Sequence, residues 1–258
     1  MNSVIYARWA RSVSNWGDVI NPILIEKISG SRVKWINTKD GNTTHKYIVV
    51  GSTLQWADEY TTVWGAGMLS ADRILDVQPY KICAVRGPLT RDIILKQGFD
   101  CPEIYGDPVL LYPRFYKPII AKQYKLGIIP HHIDSDNEWV KQAGTNNGVL
   151  IINILDDINK VVDEILSCDV IASSSLHGII AADAYGIPSV WIELSDKVLG
   201  NGFKFRDYFA SVGRTDTEPL IVNKNINGAN ILLRNLGYNK IDIDLDKLYN
   251  ACPFKKIK

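Results

Sequence analysis

The sequence predicts an α/β protein of two Rossmann-like halves, each built on a parallel sheet. Short apolar runs rich in β-branched residues alternate with segments of helical period along most of the chain. Glycine or proline punctuates many of the junctions between them. Near the middle, Pro113, Pro118 and the mixed segment between them interrupt the alternation, which divides the chain into an N-terminal domain, 1–117, and a C-terminal domain, 118–258. A chain of 258 residues can give each half its own core.

Val4 to Trp9 reads as the first strand, and Val19 to Ile28 as a helix closed by Ser29-Gly30. Tyr47 to Ser52 and Thr61 to Gly67 are short runs suited to buried parallel strands. Gly65-Ala66-Gly67 lacks the rest of a dinucleotide fingerprint and reads as a turn. Lys81 to Val85 is a strand, Arg86-Gly87-Pro88 a turn and Leu89 to Gln97 a helix. Beyond the middle come strand Leu126 to Pro130, a helix around Asn137 to Gln142, strand Val149 to Ile154, helix Asp157 to Leu166 and strand Asp169 to Ala172. An Ala-rich helix from about Leu176, strand Ser189 to Leu194 and an amphipathic helix Phe203 to Val212 complete the alternation, with Phe205, Phe209 and Val212 inward. From Glu218 onward there is no catalytic pattern; Ala229 to Asn235 suits a helix, and the Lys-rich end, Lys255-Lys256-Ile257-Lys258, is expected to be solvated.

Composition excludes several functions. Net charge is only +1, so no overall basic field recruits nucleic acid, and anion binding must rest on local clusters. Cys83, Cys101, Cys168 and Cys252 show no CxxC spacing and are expected as buried thiols rather than metal ligands or disulfides. Met1-Asn2-Ser3-Val4-Ile5-Tyr6 lacks the pattern of a signal segment, and no apolar run approaches eighteen residues. The expected setting is cytoplasmic, with at most peripheral association at the inner face of a membrane.

The chemistry concentrates in one stretch. Cys168 to Gly178 and the following Ile179 to Pro188 describe a strand, a turn of three serines and a helix, with His177 in the helix's first turn. The unpaired NH groups of that turn and the helix dipole favour an anion, to which Ser173, Ser174 and Ser175 can add hydroxyl donors. His177 is therefore a titratable group beside an anion pocket. Arg86, at a strand end, can grip a carboxylate or phosphate in bidentate fashion. His131 follows a strand end and suits a cleft wall, whereas His132 and His45 are expected at the surface, since neighbours on an extended segment point apart. Asp183, six residues beyond His177, falls on another helical face and suits a buried carboxylate holding backbone or an Arg. Asn15-Trp16-Gly17-Asp18 lies at a strand-to-helix junction, where Gly17 serves the turn and Asp18 can cap the helix.

Ser174-Ser175-Leu176-His177-Gly178-Ile179-Ile180, followed by Asp183-Ala184-Tyr185-Gly186-Ile187-Pro188, resembles the signature of the polysaccharide pyruvyl transferase family. Further pieces agree in order: Asn15-Trp16-Gly17-Asp18 with Asn21-Pro22, Val85 to Thr90, Tyr105-Gly106-Asp107-Pro108, Gly127 to His131 and Phe205-Arg206-Asp207-Tyr208. The resemblance implies a glycosyltransferase B-like fold in which the two sheets face one another across a cleft, the N-terminal domain on the acceptor side and the C-terminal domain carrying the donor-binding helix. It also implies the reaction, transfer of a carboxyethylidene group from phosphoenolpyruvate to two hydroxyls of a sugar in surface polysaccharide synthesis, with no metal or redox cofactor. The partners are then phosphoenolpyruvate and a sugar acceptor, lipid-linked or nucleotide-linked, and no nucleic acid. His177 becomes the catalytic proton shuttle; Asn15, Asp18, Arg86, His131, the three serines and Lys204 or Arg206 become substrate contacts. In one respect the chain departs: many members carry Arg two positions before the motif histidine, and here that position is Ser175. Lys204 and Arg206 are the nearest replacements by motif order. Two other readings stand beside this one: a nucleotide-sugar-dependent glycosyltransferase of related fold, and a noncatalytic sugar-binding protein using some of the seven tryptophans.

Overall fold

The structure, a computed structural model, describes residues 4–13, 15–37, 42–223, 225–234 and 240–256. The first sheet contains β1 (Val4–Ala7), β2 (Arg32–Trp35), β3 (Lys46–Ile48), β4 (Thr61–Trp64) and β5 (Lys81–Ala84) in the order β2-β1-β3-β4-β5. The second contains β6 (Tyr124–Ile129), β7 (Val149–Ile151), β8 (Cys168–Ser173), β9 (Ser189–Glu193) and β10 (Leu220–Ile221) in the order β10-β9-β8-β6-β7. Every pairing is parallel, with β1 in register Val4 to Arg32 and β6 in register Leu126 to Val170. Two parallel five-stranded sheets with flanking helices are the Rossmann-like, glycosyltransferase B-like arrangement. Central strands such as β4 are buried along their whole length, which is why they read as continuous apolar or β-branched runs.

Helix α1 (Trp16–Ser29) joins the halves. Its N-cap is Asn15, whose Oδ1 accepts from the Asp18 amide at 3.2 Å, so Asn15 rather than Asp18 caps the helix. Pro22, inside the helix, has no NH for the carbonyl of Asp18; the Asn21 side chain donates to that oxygen at 3.2 Å instead. Asn21 Oδ1 also accepts from the Val50 amide at 2.9 Å, which ties α1 to the extended chain after β3. Trp16 reaches the other half: its amide donates to Ile154 O and its indole to Ile158 O, at 2.9 and 3.1 Å. The Trp16 ring is fully buried, a burial that contributes about 1.5–3 kcal/mol for a large apolar side chain.

The remaining helices are α2 (Pro88–Lys96), α3 (Glu138–Ala143), α4 (Ile158–Leu166), α5 (Leu176–Ala184), α6 (Phe203–Ser211), α7 (Gly228–Arg234) and α8 (Leu245–Asn250). Gly106-Asp107-Pro108 leads into a 3₁₀ helix, Pro108–Arg114, capped by Asp107. The chain returns to the first sheet at its end. The Trp64 indole donates to Leu248 O at 2.9 Å, and Phe254 meets Tyr47 and Trp64 edge-on. All four cysteines are free and buried. Asp183 is buried against Arg214, Ser189 and Tyr208, as its helical position suggested. Met1 to Ser3, Asn235 of the expected C-terminal helix, and Ile257-Lys258 lie outside the described residues. Among the described residues no helix is long and apolar enough to cross a membrane.

Candidate active site

A cleft of about 350 Å³ lies where the carboxyl ends of the two sheets meet, the place where open α/β sheets bind ligands. Each contributing segment follows a strand: Asn15 and Asp18 after β1, Ser52 and Trp56 after β3, His131 and His132 after β6, Ser175 and His177 after β8, and Lys204 after β9.

His177 is held from both halves. A Cβ on Gly17 would come within 2.0 Å of its Nδ1, so the glycine of Asn15-Trp16-Gly17-Asp18 exists to admit the imidazole. Its Nε2 is shielded from solvent and has no hydrogen-bond partner among the described residues. Burial, then the charges of Lys204 and Arg86, lower its pKa to about 3, so the ring is neutral at physiological pH. A neutral ring can accept a proton from a hydroxyl, and an arriving anion would raise its basicity.

Asp18 faces the same space, 7% exposed, with Asn15 Nδ2 donating to its carboxylate through a very short contact. Burial pushes its pKa up to about 7, against the opposing pull of Asn15 and Lys204. Lys204 has no hydrogen-bond or ion-pair partner among the described residues, and burial followed by the charge of Arg86 lowers its ammonium to about 8. It therefore remains cationic at neutral pH. His131 is lowered to about 3 by burial, Lys204 and His132. His132 is not the separate surface group expected: a 3₁₀ turn, His132–Asp134, begins there and brings the two rings to 4.3 Å, both on the cleft.

Other expected contacts fall elsewhere. Arg86 is fully buried behind the wall, and the carboxylate it grips is the protein's own. Its Nε donates to Asp207 Oδ2 at 2.9 Å, Nη1 to Ser52 Oγ at 2.6 Å and Nη2 to Met68 O at 2.7 Å. Asp207 also accepts from the amide and hydroxyl of Thr90 at the start of α2, the anion position of that helix. Gly67 is the backbone against which the guanidinium lies, since a Cβ there would come within 2.5 Å of Arg86 Cζ. Arg206 is likewise outside the cleft: it pairs with Glu218 at 2.9 Å and donates to Asn201 O. Ser173 Oγ shares its hydrogen between Ile129 O and Ser175 O, and Ser174 Oγ accepts from the His131 amide at 2.8 Å; both serines hold the turn. Ser175 lines the cleft, and its hydroxyl makes no cap to α5.

Sequence reasoning missed Ser52 and Asp207, and named Trp56 only as one of seven tryptophans able to stack on a sugar. Ser52 lies after β3 and Trp56 ends the short 3₁₀ turn Leu54–Trp56, neither in a local motif. Asp207 belongs to the quoted Phe205-Arg206-Asp207-Tyr208 run, and its separation from Arg86 by 121 residues left the pairing invisible.

Fold and cleft together define a two-sheet protein whose cleft-lining residues converge from opposite halves. The profile of the Polysaccharide pyruvyl transferase family matches residues 61–196, more than half of the chain, which belongs to that family. An uncharacterized protein of Acanthamoeba polyphaga mimivirus is 32% identical over 222 residues, covering 81% of this chain and 75% of that protein. The succinoglycan biosynthesis protein ExoV of Rhizobium meliloti is 28% identical over 176 residues, which cover 67% of this chain but 49% of ExoV.

Proposed function

We propose that the cleft transfers a carboxyethylidene group from phosphoenolpyruvate to two hydroxyls of one sugar in polysaccharide synthesis. The observation that carries this is the convergence on one cavity, in a member of this family, of a neutral buried histidine, a carboxyl with pKa near neutrality and an ammonium with no hydrogen bond or ion pair among the described residues. Protonation of the donor's C3 makes C2 an oxocarbenium-like electrophile. One sugar hydroxyl adds to C2, the C2–O bond to phosphate breaks, and the second hydroxyl adds to the same carbon. Of the two hydroxyl protons, one is balanced by the proton gained at C3 and the other leaves with phosphate.

The residues divide these tasks. His177 accepts the hydroxyl protons, because its ring is neutral before substrate arrives. Asp18, protonated in part of the population at neutral pH, is the donor of the C3 proton, so the work expected of a single histidine is shared. Lys204 and the first turn of α5 compensate the donor's negative charge; a helix terminus alone supplies only about half a charge. Lys204 thereby replaces the arginine missing at Ser175. The donor is held chiefly by the C-terminal domain, and the acceptor approaches from the N-terminal one. The test is phosphate release from phosphoenolpyruvate with a panel of sugar acceptors. Acceptor-dependent release, with mass spectrometry showing a ketal on the sugar, is the expected result. No release and no phosphoenolpyruvate binding by calorimetry would move the weight to a nucleotide-sugar glycosyltransferase.

A further inference from the structure

A second cavity, of about 260 Å³, opens beside the cleft over the carboxyl end of β9. The two share Leu199, and they divide at adjacent residues: Ser174 lines the second cavity and Ser175 the first. The second cavity's chemistry differs. Its lining includes the acidic residues Glu193 and Asp196 and no Lys or Arg, and Arg206, which lies over the Trp191 ring at its edge, is already paired with Glu218, so a phosphate or nucleotide would meet repulsion with no unpaired cation to offset it.

Its donors are unspent. Trp191 is 4% exposed, and its indole NH has no hydrogen-bond partner among the described residues. The fully buried indoles of Trp16 and Trp64, by contrast, each donate to a backbone carbonyl. Trp191 lines the cavity and is held by parallel stacking on Phe205, with ring centroids 4.4 Å apart, so its ring keeps one orientation there. Ser174, 2% exposed, uses its oxygen to accept from His131 and keeps its own hydrogen uncommitted. Trp191 Nε1 is not among the solvent-shielded unpaired atoms, so it stays within reach of a water or ligand hydroxyl that can take up its hydrogen bond.

We infer that this cavity is a saccharide subsite, which holds the sugar unit next to the one modified in the cleft. A neutral sugar hydroxyl both accepts, from Trp191 and Ser174, and donates, to Glu193 and Asp196, which matches this lining as an anion does not. Adjacency to the cleft places the neighbouring unit of an acceptor chain there; that step rests on the pyruvyl transfer reading, whereas the saccharide preference does not.

The probes are lactose, cellobiose and mannobiose, each set against its methyl monosaccharide glycoside. Binding is read by saturation-transfer NMR and turnover by phosphate release, for wild type, Trp191→Phe and Glu193→Gln. The expected result is tighter binding and lower KM for at least one disaccharide, an advantage that each variant reduces about tenfold. Phosphoenolpyruvate affinity should stay within about twofold, since neither side chain touches the cleft. Two substitutions of different chemistry guard against a packing effect at Trp191, and circular dichroism checks the fold. Disaccharide binding that the variants weaken, without phosphate release, would uphold the subsite while removing the pyruvyl reading. The proposal is overturned if no disaccharide binds better than its monosaccharide, or if both variants leave the advantage intact.

Discussion

Two polar clusters lie on either side of one wall and differ in a single respect. Around Arg86, Asp207 and Thr90 each charge has met a protein partner, in contacts of 2.6 to 2.9 Å with water excluded. Around His177, Asp18 and Lys204 the groups are buried short of such pairing: among the described residues His177 Nε2 has no hydrogen-bond partner, Lys204 has no hydrogen bond or ion pair, and the Asp18 carboxylate meets the neutral Asn15 amide rather than a cation. Saturation marks the first cluster as a joint between the halves, and want of partners marks the second as a place for substrate. The two are linked mechanically: Asp207 and Lys204 are one turn apart on α6, so the joint fixes where the ammonium points.

If that contrast is right, breaking the joint should cost stability first. Arg86→Met leaves the Asp207 carboxylate buried without its cation, a loss of about 3–5 kcal/mol by analogy with other broken buried pairs. Urea or thermal denaturation measures it. A variant as stable as wild type but unable to bind phosphoenolpyruvate would return Arg86 to the substrate.

Breaking the cleft should do the reverse. His177→Gln is expected to lower turnover at least about a hundredfold, the usual scale for losing an acid-base group. Stability should hold or rise, because the buried ring has no Nε2 hydrogen bond among the described residues to lose. Near-normal phosphate release from a folded variant would remove His177 from the chemistry.

The two cations at the start of α6 sharpen the contrast further. Lys204→Gln should raise the phosphoenolpyruvate dissociation constant about tenfold, or about 1.4 kcal/mol. Arg206→Gln should leave it within about twofold, since that guanidinium is engaged with Glu218 and Asn201. Ser175→Arg in the Lys204→Gln background should restore part of the affinity. Titration calorimetry at fixed low salt decides; equal effects from Lys204 and Arg206 would refute the assignment of the compensating charge.

Local pattern carried most of this architecture. Alternating runs located eight of the ten strands among the described residues, because central parallel strands are apolar throughout. β2 and β10 escaped notice since Arg32–Trp35 is a largely exposed edge with alternate charges and Leu220–Ile221 spans two residues. α8 is six residues long and follows Ile241-Asp242-Ile243-Asp244, whose alternation has the period of a strand rather than a helix. At the site, a motif could say that Arg86 binds a carboxylate but not whose. That identity depends on a contact between the turn after β5 and helix α6, far apart in sequence. Gly17 was legible as a turn residue, yet its need to be glycine comes from His177, 160 positions away, and only the assembled fold contains that constraint.

The subtlest difference between the clusters is in their response to pH. Folding raises the Asp18 pKa from its ordinary 3.8 to about 7, so the folded state holds a proton that the unfolded state releases across that window. Asp18 thus destabilises the fold above neutrality and ceases to do so as pH falls toward 4. His177 acts oppositely: with a folded value of about 3 against an ordinary 6.5, it costs stability as pH falls through that range. Asp18→Asn should therefore be more stable than wild type at pH 8, by on the order of 1 kcal/mol once residual solvent screening is allowed for, and lose that advantage near pH 4. Asn can keep the contact to Asn15 through Oδ1, so the difference reads the buried charge rather than a lost hydrogen bond. Denaturation of both proteins from pH 4 to 8, repeated in a His177→Gln background to subtract the opposing titration, gives the sign directly. A stability difference that does not change with pH would mean that Asp18 is an ordinary surface carboxylate, and the proton donated to phosphoenolpyruvate would have to come from Lys204.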